Sequence, residues 1–285
     1  MAGESWAFGS VVLGLASAAS WGAGDFSGGL ASRRAPALTV VAVSQVVGIT
    51  FLVALALAIG EALPGPHQLG WAALAGASGA LGLLALYSAL ASGRMGTAAS
   101  VSGVTGAAVP VLVGSAADGP PGALRLAGFA LALVGVWLLT AVDDGTGRAG
   151  LRGLALPLLS GVGLGLFLVL IHQAGGGATV LWPLVAARAA SITMLAAVGV
   201  ATGRLVRPDP AALAFVTLAG LLDTGGNALF LLATHAGRLD VAAVLSSLYP
   251  ASTVILACVF LGERLTRRQT AGAVAALAAI ACESW

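Results

Sequence analysis

The sequence predicts an all-α integral membrane protein of ten transmembrane helices, built as two inverted five-helix repeats. Three observations lead there. Composition comes first: 59% of the 285 residues are hydrophobic and 8% are charged, with a mean hydropathy of +1.01, too few charges to cover a soluble globule of this size. Second, apolar runs of about 20 residues, the length that spans a bilayer, recur along the whole chain. Third, the chain echoes itself. Slid by 144 positions, Trp71 to Gly128 lies over Phe215 to Gly272 without a gap, and 14 of 58 pairs are identical, roughly twice the chance level for such an Ala-, Gly- and Leu-rich chain.

The segments follow from their breakers. Backbone polar groups in lipid must be satisfied within the helix, so each apolar run is read as one span. The first, 8-30, holds Trp21-Gly22 and stops at Arg33-Arg34; lacking a basic region ahead of it, it reads as a helix and not as a signal peptide. The second, 37-59, ends at Gly60-Glu61, and 69-91 follows the Pro64-Gly65-Pro66 loop, with His67 in that loop. Next come 96-116, bent by Pro110, and 123-142. The linker Asp143 to Arg152 is the seam between a first unit, 1-147, and a second, 148-285. The second unit supplies 151-172, 179-202, 211-235, 240-261 with a break at Tyr249-Pro250, and 268-283.

Five helices is an odd number, so the second copy enters the membrane from the opposite side. Outward of the gapless stretch the echo continues: Gly22 and Gly24 match Gly161 and Gly163 at a shift of 139, and Gln45 falls on Arg188 at 143. Every basic residue is Arg. Arg33, Arg34, Arg94, Arg148, Arg152, Arg204, Arg207, Arg264, Arg267 and Arg268 lie in odd-numbered connections, against Arg125 and Arg238 on the other side. The positive-inside rule then puts the odd connections in the cytoplasm and both termini outside, in a multi-pass protein of the cytoplasmic membrane.

Few residues offer chemistry. Asp25, Arg188 and Asp223 are the ionisable groups within the apolar segments, and each must face a partner or a wet cavity. Asp223 is midway through its helix and Arg188 a third of the way into the preceding one, so their depths differ by only ~4 to 6 Å. Two readings stand: a buried ion pair that locks two helices, or a pair that opens, Arg188 taking a substrate carboxylate or Asp223 a proton or a substrate amine. Asp25 reaches the interface or an Arg, or it is a proton-coupling carboxylate alongside Asp223. Trp21 and Tyr249 are candidates to stack on a substrate. Gly76, Gly79 and Gly82, and Gly161, Gly163 and Gly165, are positioned to let helices approach closely, and Gly225-Gly226 to bend the helix that carries Asp223. His67, His172 and His235 are scattered, and Cys258 and Cys282 sit in apolar runs, so neither a metal site nor a cofactor is expected.

The stretch from Ala242 to Gly272, with Pro250, the turn Gly262-Glu263-Arg264-Leu265-Thr266, Gln269 and Gly272, together with Trp21-Gly22 and the duplication, resembles the drug/metabolite transporter superfamily, EamA type. The first copy departs from the signature, with Gly119 in the place of Glu263 and Pro120-Pro121 in the place of the basic turn. The resemblance implies a carrier or exporter of small metabolites or drugs. It would work by alternating access around a cavity lined by helices 1, 3, 4, 6, 8 and 9, as a monomer or homodimer.

Trp21, Gln45, Arg188, Asp223, Asn227 and Tyr249 are the expected substrate-binding residues. The expected partners are a small-molecule substrate and the lipid bilayer, not nucleic acid. A flippase for a lipid-linked group is the near alternative. The remote one is an intramembrane protease, since Gly76-Ala77-Ser78-Gly79 has the form of the rhomboid nucleophile.

Overall fold

A computed structural model describes residues 2–91, 95–118, 122–140, 151–176, 179–261, 267–268, 270–272, 274–275 and 278. Among them the secondary structure is entirely helical: α1 (Ala2–Ser32), α2 (Ala37–Ile59), α3 (Pro66–Ala91), α4 (Met95–Asp118), α5 (Ala123–Thr140), α6 (Leu151–Gly175), α7 (Leu181–Thr202), α8 (Pro210–Ala236), α9 (Leu239–Ser246) and α10 (Tyr249–Leu261). The turn 262–266 and most of the expected tenth span, 268-283, lie outside the described residues. α2, α7, α8, residues 66–89 of α3 and residues 155–175 of α6 are long and apolar enough to cross a membrane.

The core is inverted relative to a soluble protein. Large apolar side chains such as Leu57, Leu112 and Val200 point outward, toward lipid that is as apolar as they are. The interior is rich in small and hydroxyl residues, and it packs by close backbone approach and hydrogen bonds. Ser17 on α1 donates to the Gly226 carbonyl on α8 at 2.8 Å, and Ser191 on α7 to the Gly76 carbonyl on α3 at 2.7 Å. One glycine of each triplet meets the other where α3 crosses α6: a Cβ on Gly82 would lie 2.8 Å from the Leu164 nitrogen, and one on Gly163 2.8 Å from the Gly82 Cα; Gly76 instead abuts Ala187 on α7, and Gly161 and Gly165 abut α4. Gly225-Gly226 does not interrupt α8, which runs unbroken from Pro210 to Ala236. Pro110 is likewise carried inside continuous α4.

The helix ends show how the two halves run. Glu61 lies just beyond α2, past Gly60 in the left-handed conformation (φ 67°). Its carboxylate accepts the backbone N–H groups of Val180, Leu181 and Trp182 at 2.8 to 3.2 Å, and the Trp182 indole donates back to the Glu61 carbonyl at 2.8 Å. These N–H groups open α7, where an anion both satisfies unpaired donors and meets the positive end of the helix dipole. Beyond the far end of α7, the Val206 N–H donates to Thr39 in the first turn of α2 at 3.1 Å. The end of each helix thus meets the start of the other. These are the second helices of the two repeats and they lie antiparallel, as an inverted repeat requires.

The other pairings are exchanged in the same way. α1 packs chiefly on α8 and α3 on α6, the first helix of each half against the third of the other; α4 leans on α6 as α9 and α10 lean on α1.

The ninth span is split. Pro250 has no N–H to continue the helix, so α9 closes at Ser246, and Ser247-Leu248 carry the chain into α10, with Pro250 in the first turn. The break falls two residues before the Tyr249-Pro250 position expected from sequence. His67 belongs to the first turn of α3 and not to a loop, and its Nε2 accepts the Trp71 indole N–H at 3.2 Å.

Candidate functional site

A cavity of about 850 Å³, part of it open to solvent, lies between the halves. One wall carries a continuous hydrogen-bonded chain. Trp21 on α1 donates through Nε1 to Asn227 Oδ1 on α8 at 3.1 Å, and Asn227 Nδ2 donates to Asp223 Oδ2 at 3.3 Å, one helical turn away on the same face. Arg188 on α7 donates through Nη2 to the same Asp223 oxygen and through Nη1 to Gln45 Oε1 on α2 at 2.7 Å. Four helices are therefore joined at mid-depth by five side chains. Burying a guanidinium is tolerable only because it is paired and hydrogen-bonded: Arg188 is 4% exposed, whereas Asp223, at 31%, faces the cavity.

Glycine makes the seats for the two largest members. A Cβ on Gly226 would stand 2.7 Å from the Trp21 indole nitrogen, and one on Gly48 would reach 3.1 Å from the Arg188 guanidinium carbon and collide with the Thr224 hydroxyl. Trp21 also packs on Phe230 at 5.8 Å and meets Tyr249 edge-on at 6.4 Å and 89°. Tyr249 enters the cavity because it sits immediately after the Ser247-Leu248 break. Its hydroxyl is buried beside the Ser102 hydroxyl.

All six of the residues expected to bind substrate line this one cavity, and so does Asp25. Asp25 has no hydrogen bond or ion pair among the described residues. It lines the same cavity as Asp223, and the neighbouring Gly24 packs against the Asp223 backbone nitrogen. α2 and α7 contribute lining through Gln45 and Arg188, which adds two helices to the six expected. Ser78 is occupied elsewhere: its hydroxyl donates to the Gly163 carbonyl at 3.0 Å in the α3–α6 contact, which leaves the nucleophile reading without support. No group of three His, Cys, Asp or Glu that could hold a metal occurs among the described residues.

Two charged groups outside the cavity escaped the sequence reading. Asp240, at the start of α9, is fully buried and takes the Arg238 guanidinium at 2.8 to 3.3 Å and the Val241 N–H at 2.9 Å. Its position two residues after Arg238, at the head of an apolar run, is the signal that marks it. Glu61 carried no comparable signal, because the helix it caps is more than 100 residues away.

Against known proteins, the model of the EamA-like transporter family matches twice, over residues 8–141 and 151–284. The chain belongs to the EamA-like transporter family. Membership makes it a multi-pass membrane protein of about ten helices from a family of small-molecule transporters, as the resemblance implied. A solved crystal structure shares this EamA-like fold with a TM-score of 0.78 at 16% identity, over 96% of this chain and 95% of that one; at such identity the likeness concerns the fold alone. No curated protein matches the sequence.

Proposed function

We propose that the chain is a secondary carrier that moves small metabolites or drugs across the cytoplasmic membrane by alternating access, one repeat rocking on the other, with Asp25 and Asp223 as the groups that couple the cycle to protons. The observation that carries this reading is the Trp21–Asn227–Asp223–Arg188–Gln45 chain. It joins α1 and α2 of one repeat to α7 and α8 of the other at the wall of the cavity, so a rocking motion must strain or break it. A ligand that takes over one of its bonds favours one arrangement over the other, which is how binding drives a conformational change. Both repeats lie in one chain, so a monomer holds the whole cavity.

The test is exchange in proteoliposomes. Protein loaded with unlabelled substrate takes up labelled substrate from outside, and Asp223→Asn abolishes the uptake while eluting as a folded monomer or dimer. Uptake undiminished in Asp223→Asn removes the polar chain from the mechanism.

A further inference from the structure

We infer that the substrate is a small organic monocation whose protonated amine docks on Asp25, with the rest of the molecule against Trp21 and Tyr249. This rests on the carrier reading of the same cavity.

The charges of the cavity do not balance. Arg188 is matched by Asp223 and covered by Gln45, and at 4% exposure it offers little to an incoming anion. The carboxylate side of that pair is what the cavity sees, with both of its hydrogen bonds on Oδ2. Asp25 is a second carboxylate in the same space, near enough to Asp223 to be repelled by it and matched by no cation among the described residues. A carboxyl group in such a setting takes up either a proton or a positive partner, because an uncompensated charge at membrane depth is costly; a substrate ammonium is the partner that can displace the proton.

The neutral polar groups nearby do not supply one. The Ser191, Ser247 and Ser102 hydroxyls are held by the Gly76 carbonyl, the Ala243 carbonyl and Ser160 respectively. The Tyr249 hydroxyl lies beside Ser102 in the same lining, and its oxygen has room to accept a further bond. An ammonium group supplies the missing charge and three N–H donors, enough for Asp25, Asp223 Oδ1 and the Tyr249 oxygen. The faces of Trp21 and Tyr249 attract cations further, and Phe167, also in the lining, offers an apolar surface to the rest of the molecule. A carboxylate substrate would instead have to prise Arg188 from Asp223 and come to lie beside Asp25.

Three probes of one shape and different charge test the assignment: benzylamine, benzyl alcohol and benzoate. Benzylamine should raise the thermal stability of the purified protein in a saturable way, with the alcohol weaker by about 10- to 100-fold in Kd, the usual worth of a charged hydrogen bond, and benzoate without effect. Asp25→Asn should bring benzylamine down to the level of the alcohol and leave the alcohol unchanged. If Asp25→Asn does not fold, the charge series on the unaltered protein and on Asp25→Glu, which keeps the charge, decides.

Benzoate binding in place of benzylamine, equal binding of all three, or no binding of benzylamine overturns the proposal. Exchange of the same probes in proteoliposomes separates it from the carrier reading. Benzoate exchanged without amine binding keeps the carrier and removes the amine site. Benzylamine bound through Asp25 but never exchanged keeps the site and removes the carrier.

Discussion

Two Arg–Asp pairs in this molecule use the same chemistry to opposite ends. In Arg238–Asp240 the carboxylate is the buried partner, at 0% exposure, and its bonds are filled by the guanidinium and by a backbone N–H of its own helix. In Arg188–Asp223 the cation is buried and the carboxylate opens onto a cavity, sharing one oxygen between Arg188 and Asn227. The first pair joins residues two apart in sequence and closes a helix end. The second joins helices that must shift if the protein transports. The arrangement of the partners, more than the fact of pairing, tells a fastening from a device that can open.

The largest effect that would sharpen this contrast is on stability. Arg238→Ala strands a buried carboxylate and should cost about 3–5 kcal/mol, read as a large drop in melting temperature and poor recovery of folded protein. A loss below 1 kcal/mol would erase the distinction between the pairs. Asp223→Asn should show a different profile: exchange is lost, while the stability loss, about 2–3 kcal/mol for the missing counter-charge of the buried Arg188, stays below that of Arg238→Ala because the amide oxygen still accepts from the guanidinium.

Gly226→Ala extends the comparison to the seat of the chain. The added methyl meets the Trp21 ring, so about 1–3 kcal/mol of overpacking is expected, and exchange should fall with it. Glu61→Gln should have the smallest effect, about 1 kcal/mol, since the amide oxygen replaces only part of the contact with the α7 dipole. A loss from Glu61→Gln as large as that from Arg238→Ala would put the fastening at the helix end in place of the ion pair.

The contrast also marks what could be read from sequence. Hydropathy gave the helices because lipid forces every span to satisfy its own backbone, and that rule is local. The approach of Arg188 to Asp223 was visible because depth along a helix is arithmetic, about 1.5 Å per residue. The partners on either side, Gln45 and Asn227, needed the faces of four helices to agree, and rotation about a helix axis is weakly marked where lipid and core are both apolar. Glu61 shows the limit most clearly: its partners, residues 180–182, depend on two loops meeting. The split at Ser247-Leu248 was displaced from its expected place by two residues because the missing donor of Pro250 is felt a turn upstream of the proline itself.

The exchange of partners between the halves also has a consequence in time. Ser17, Ser20 and Trp21 find their partners 202 to 209 residues further along the chain. At about 5–20 residues per second the ribosome needs roughly 10–40 s to make that length. For that interval α1 sits in the bilayer beside the insertion machinery with these three hydrogen-bonding side chains unserved, and α8 arrives as the eighth helix to serve them. The first half is thus a client that must be held in place until the second is synthesised. Slowing translation across the 141–150 linker should lengthen that wait, exposing the nascent chain to membrane proteases before the cavity exists.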